Sequence, residues 1–180
     1  MNDWLALTAI TAAINPIAAA ANFPNRVATY RTLGLAAIVA LLTYGAIAAA
    51  AHQFLNALSV EPATFDVAAG IIVAASGASV LFLGPHQYPA TGEAWQTALA
   101  PLAIPLLVNP AGAAAAIVVA TRTSTSLAAL GAVAAIALGL VLVAAGVGRH
   151  RALSDGASRL LAAVAITIAA GFVVDGIRSI

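Results

Sequence analysis

The sequence predicts an all-α membrane protein: six transmembrane helices arranged as two inverted three-helix repeats, with helices 1 and 4 broken at Asn-Pro. Three observations predict it. Of 180 residues, 63% are hydrophobic and 7% charged, with a mean hydropathy of +1.04. The apolar residues fall into runs long enough to cross a hydrocarbon core about 30 Å thick as helices. Two of those runs are interrupted by Asn15-Pro16 and Asn109-Pro110, 94 positions apart.

In chain order the expected spans are 3–21, 32–54, 67–82, 97–121, 126–147 and 158–177. The third is the shortest. Polar links separate them: Asn22 to Arg26, then Asn56 to Phe65, then Gly84 to Pro89. The fourth link is Arg122 to Thr125, and the fifth runs from Gly148 to Gly156. The first span has no basic flank and no small-residue cleavage pattern, so it is expected to be a retained helix and not a secretory signal. The chain has no cysteine, which excludes disulfides and thiol chemistry. Its net charge of +1 gives no reason to expect a nucleic-acid partner. One transmembrane domain, 1–180, is expected, with repeat 1 at 1–84 and repeat 2 at 95–180.

The repeat is read by sliding the chain against itself by 94 positions. Asn15-Pro16 then falls on Asn109-Pro110, Gly45 on Gly139, Glu61 on Asp155, Thr64 on Ser158 and Gly77 on Gly171. Each unit holds three spans, an odd number, so the second unit enters the membrane upside down. Inverted repeats of this kind are a recurring transporter plan, with sites near the midplane built from discontinuous helices. Arginine sets the orientation. Arg26, Arg31, Arg149, Arg151 and Arg159 lie towards one side, Arg122 and Arg178 towards the other. The positive-inside rule places both termini outside the cytoplasm.

Proline inside a helix removes one hydrogen bond and clashes with the preceding turn, at about 3 kcal/mol. In hydrocarbon such a break survives only where protein or a wet cavity satisfies the freed groups. Asn15 lies about 18 Å along the helix from Asp3, and Asn109 equally far from Thr97, so both breaks are expected at mid-membrane. Asn followed by Pro is also a strong helix start: Asn accepts from exposed N–H groups, and Pro at the first position has none to satisfy. Each second half-helix then begins at the bilayer centre with a partial positive charge. The expected substrate-binding residues are Asn15, Pro16, Ile17 and Ala18, with Asn109, Pro110, Ala111 and Gly112. The Asn side chains and the N–H groups of Ile17, Ala18, Ala111 and Gly112 face the solute. A pair of structural kinks packed against neighbouring helices is the competing explanation.

The stretch Pro101-Leu102-Ala103-Ile104-Pro105-Leu106-Leu107, followed by Pro110, resembles the second signature of the MarC family of small bacterial and archaeal membrane proteins. Ile14-Asn15-Pro16-Ile17 resembles its first signature, usually Asp-Pro-Ile-Gly-Asn, and Phe65 to Ile71 resembles the opening of its third helix. The resemblance covers essentially the whole chain. It implies a six-helix inner-membrane protein in the wider LysE-type transporter group, some of whose members carry small neutral amino acids. This chain departs from the pattern. Asn15 stands where the family usually has Asp, Ala18 and Ala19 where it has Gly and Asn, and Asn109 and Ala111 where it has Gly. Any proton coupling carried by that Asp is therefore not expected here.

The other polar residues have simpler readings. His52, His86 and His150 lie in or beside three different links without ligand spacing, so neither a metal nor another cofactor is expected. Asp66 and Asp175 are the candidates for coupling, since acids within a span are functional by default. Their position at helix ends also makes a carboxylate inexpensive there, and Asp175 can pair with Arg178 one turn on. Glu61, Glu93 and Asp155 are expected as solvated loop charges, and Trp4 and Trp95 as interface anchors. Thr8, Thr11, Ser76, Ser79 and Thr167 either line a path or bond to their own helix backbone. Gly131, Ala135 and Gly139 form a face suited to helix packing.

The expected function is transport of a small neutral solute, such as a small amino acid, across the inner membrane. The expected partners are the lipid bilayer and that small-molecule substrate, with a homo-oligomer left open. Efflux of antibiotics or other small apolar compounds is the first alternative, although 6% aromatic content offers little for an aromatic-lined cavity. A non-transporting assembly protein is the second. An enzyme is not expected: no Ser–His pair, acid pair or metal cluster falls at membrane depth.

Overall fold

A computed structural model describes residues 1–22, 29–85 and 93–180. The link residues Phe23 to Arg26 and His86 to Pro89 lie outside the described residues, as do the expectations placed on Arg26 and His86. The described residues are almost entirely helical and contain no strand. Five helices are long and apolar enough to cross a membrane, and a bent pair adds a sixth span.

The first span is α1 (Asp3–Ile14) followed by α2 (Pro16–Asn22). Asn2 caps α1 by accepting from the Leu5 N–H, 2.9 Å away. α1 ends because Asn15 turns left-handed, at φ 51° and ψ 68°, a conformation Asn tolerates better than most residues. α3 (Tyr30–Ala57) begins at Thr29, whose side chain caps Thr32. α4 (Pro62–Leu83) starts with proline at its first position and stops at Gly84, which takes φ 78°. α6 (Pro110–Arg122) and α7 (Thr125–Ala144) are capped by Asn109 and Ser124. A single 3₁₀ turn at Val147–Arg149 leads into α8 (Arg151–Ser179).

Three expectations are corrected. α4 begins at Pro62 and α8 at Arg151, so segments read as links from their polarity are helical, and the third span is not short. Asp155 is therefore a helix residue paired with Arg159 at 3.0 Å, not a solvated loop charge. The first half of the fourth span is not a plain half-helix. After a short α5 (Ala94–Thr97) the chain winds in wide π turns over Ala98–Leu107, with extended dihedrals at Ala100 and Ile104. Each of these precedes a proline, Pro101 or Pro105, whose ring drives the preceding residue out of the helical region. The span then bends by 59° before α6.

Packing relies on alanine. The buried stripe of α3 is Ala36, Ala40, Tyr44, Ala48, Ala51 and Leu55, at the helical spacing of three to four residues. α4 lies along α8, α1 and α2 pack on α7, and the two halves of the fourth span pack on α3. The α4–α8 seam is close. A Cβ at Gly70 would sit 2.7 Å from the Ala169 carbonyl, and one at Gly176 would sit 2.7 Å from that of Ala63. Gly131 and Gly139 likewise receive Ile10 and Pro16 from the first span, and both are buried in the packing face of α7. Outward, large apolar side chains such as Leu42, Ile71, Leu130, Val141 and Leu160 stay exposed, as a lipid-facing surface requires.

The ends of the spans gather at two opposite ends. Asn22, Leu83 to Pro85 and Arg151 to Asp155 surround one recess of about 320 Å³. Met1, Glu61 to Ala63, Arg122 and Ser179 surround another of about 480 Å³. Between these ends α8 covers about 30 Å from Asp155 to Asp175, one hydrocarbon thickness.

Candidate functional site

The two breaks meet. Asn15 Oδ1 accepts from the Ala18 N–H at 3.0 Å, and Asn109 Oδ1 accepts from the Gly112 N–H at 2.7 Å. Each Asn therefore caps the helix that follows it, as Asn before Pro is suited to do. Their amide groups reach further. Asn109 Nδ2 donates to the Ile14 carbonyl at 3.0 Å, and Asn15 Nδ2 donates to the Ser158 carbonyl of α8 at 3.0 Å. One break thus satisfies the backbone of the other. Tyr44 from α3 donates to the Leu107 carbonyl at 3.2 Å, covering the end of the π-wound segment.

Beside the breaks lies a cavity of about 290 Å³. Its polar lining is Asn15, Asn22, Ser76, Ser79 and Asn109, completed by three prolines and by alanines and aliphatic side chains such as Ile14 and Leu106. No charged or aromatic side chain lines it among the described residues. The Ser76 and Ser79 hydroxyls have no hydrogen-bond partner among the described residues. Thr8, Thr11 and Thr167 instead bond to carbonyls four residues back in their own helices. The sequence left those two roles open for all five, and the structure divides them. The cavity meets the 320 Å³ recess at Asn22 and Pro85. Deeper in, a void of about 20 Å³ is lined by Asn15, Val73, Ser76, Gly77 and Ala111, with room for about one water.

Of the eight residues expected to bind substrate, Asn15, Ala18, Asn109 and Pro110 line the cavity and Ala111 the inner void. Pro16 is buried against α7, where it faces Gly139, and Ile17 is half-buried. Gly112 is buried beneath Tyr44 and Ile14. The Ala18 and Gly112 N–H groups are occupied by the caps.

Asp66 is not a cheap helix-end carboxylate. It is 1% exposed and accepts from Arg122, with the Nε donor at 2.6 Å and a second, bridging nitrogen. Its other oxygen, Oδ1, is buried without a partner among the described residues. Arg122 is 19% exposed and also reaches Asp175, itself 55% exposed, at 3.3 Å. Asp175 is thus paired with Arg122, not with Arg178. The guanidinium fork allows one Arg to hold two carboxylates, which the spacing along a single helix could not reveal. At the opposite end Arg159 donates to the Leu81 carbonyl of α4 at 2.7 Å. Trp4 and Trp95 are both exposed, and Trp95 donates to Glu93 at 2.8 Å.

The sequence reading missed Asn22 and Arg122. The signal for Arg122 was its position at the end of an apolar run, on the side that also carries Asp66 and Asp175. The model of the MarC family integral membrane proteins matches residues 6–180, so the chain belongs to that family and is a multi-pass membrane protein. No curated protein and no solved structure matches the chain.

Proposed function

We propose that this MarC-family protein is a transporter that moves a small neutral solute, such as a small amino acid, across the inner membrane. The observation that carries the reading is the cavity of about 290 Å³ at the paired breaks, lined by neutral amide and hydroxyl groups. Its volume is at the lower end for ligand pockets, which suits a small solute better than a drug. Among the described residues the lining offers no counter-ion, so an isolated ion would be costly there. Among the described residues no aromatic side chain lines the cavity, which favours a small solute over bulky antibiotics. A cavity that Ser76 and Ser79 line from α4 is what a transport role needs and a non-transporting assembly role does not. We read the protein as non-enzymatic, needing no cofactor.

An inverted repeat underlies this reading. The first span packs on the fifth, the fourth on the second, and the third on the sixth, a pattern that exchanges the two halves. Both termini are read as lying outside the cytoplasm, so that the recess at Arg151 and Asp155 faces inward. With Asn at position 15, we read the movement as facilitated, or as coupled to a cation held by backbone carbonyls. Asp66 and Asp175 are the alternatives if a proton is coupled.

The test is uptake by reconstituted vesicles, screened across small amino acids with and without a pH gradient. Saturable uptake that does not depend on the pH gradient is expected. Accumulation driven by pH alone would overturn the coupling, and no uptake of any neutral solute would overturn the function.

A further inference from the structure

Four spaces succeed one another along α4. The recess at Gly84 and Pro85 opens into the central cavity at Ser76, Ser79 and Val80. The 20 Å³ void follows at Val73 and Gly77, and the second recess lies at Pro62 and Asp66. The first two share lining residues, and so do the cavity and the void. The void and the second recess share none. Between them lies a close part of the α4–α8 seam, at Gly70. The ion bridge lies at the far end of that seal.

The bridge joins three spans. Asp66 is on α4, Asp175 on α8 and Arg122 at the end of α6. α4 and α8 are bound to each other by glycine contacts; α6 also packs along α4, and among the described residues Arg122 is its charged tie to that pair. α6 begins at Asn109 in the central cavity and ends at Arg122, about 20 Å away. One rigid helix therefore connects the site to the bridge.

We propose that the Asp66–Arg122–Asp175 bridge is a gate, closed in this structure between the central cavity and the recess at Pro62. Withdrawal of Arg122 from the α4–α8 pair opens that end to the site. Met1, Glu61 and Ser179 line the recess beside it, and Arg178 follows Asp175 on α8. The proposal rests on the transport reading for its purpose and not for its geometry.

The chain has no cysteine, so a Thr64→Cys, Thr123→Cys protein carries spin labels at two exposed positions, one on α4 and one just after α6. Electron–electron distance measurement in lipid nanodiscs reads the gap between α4 and α6. With Arg122 intact the labels should give one dominant short distance. Arg122→Gln should add a population longer by about 5 Å, the scale of a one-turn displacement. Should Arg122→Gln fail to fold, Asp175→Asn changes only a half-exposed partner and should add the same population at lower amplitude. Distributions that superimpose on the parent's in every folded variant would overturn the gate. If the distances shift while the native protein takes up no solute, the gate stands and the transport reading falls. If uptake is found and the distances do not shift, the gate falls alone.

Discussion

The side chain of Asn109 donates to the carbonyl of Ile14 at 3.0 Å, so a break in one span satisfies the end of a helix in another. These residues are 95 positions apart, and each belongs to an Asn-Pro interruption. In a bilayer a freed carbonyl has no water to turn to. Meeting at one place lets the two breaks stabilise each other while their lining groups face a common cavity.

Replacing Asn109 by Leu removes the Gly112 cap and the bond to Ile14 together. The lost cap costs about 1 kcal/mol, and an unsatisfied buried carbonyl costs about 1–3 kcal/mol more. Uptake by Asn109→Leu and Asn15→Leu should fall by about two- to tenfold, as loss of one hydrogen bond to a bound solute suggests. Both variants should still insert and purify. Thr43→Leu is the control, because among the described residues Thr43 bonds to Val39 of its own helix. Its initial uptake rate should stay close to native.

Gly112 and Tyr44 form a second pair. A Cβ at Gly112 would meet the Tyr44 hydroxyl and Ile14. Gly112→Ala should lower the thermal midpoint in detergent, consistent with an overpacking cost of about 1–3 kcal/mol. Tyr44→Phe removes the obstructing oxygen and a hydrogen bond worth about 1 kcal/mol. The double variant should therefore be more stable than the sum of the two single losses predicts. Strict additivity would show that Gly112 is constrained by Ile14 instead.

The α4–α8 seam predicts a contrast among glycines. Gly70→Ala and Gly176→Ala each drive a methyl group against a backbone carbonyl and should destabilise by about 1–3 kcal/mol. Gly171 is also on α8, but a Cβ there meets nothing within 4 Å. Gly171→Ala should be neutral or stabilising, by up to about 1 kcal/mol from helix propensity. Thermal unfolding followed by circular dichroism distinguishes the three.

The caps were legible in the sequence because they are local: Asn, Pro and the N–H three residues on belong to one turn. The π-wound stretch was not read: Pro101 and Pro105 each constrain the residue before them, but a single apolar run suggested a single half-helix. Nor was the bridge. Arg122 lies 56 residues from Asp66 and 53 from Asp175, and only the packing of α4, α6 and α8 brings them together. Spacing along one helix offered Arg178 in its place. The start of α8 was hidden for a different reason: Arg151 to Gly156 are polar because they extend beyond the hydrocarbon, and polarity there resembles a link.

The central claim, that solute is held at the paired breaks, is tested most directly by protection of a cysteine placed in the cavity. Ser76→Cys supplies the chain's single thiol beside Asn15 and within the lining. Its modification by a small thiol reagent should slow in proportion to occupancy by whichever neutral solute the reconstituted protein transports. A Thr123→Cys control, exposed at the end of α6 and away from the cavity, should react at an unchanged rate. Equal modification of Ser76→Cys with and without saturating solute, in vesicles that still take the solute up, would contradict the account.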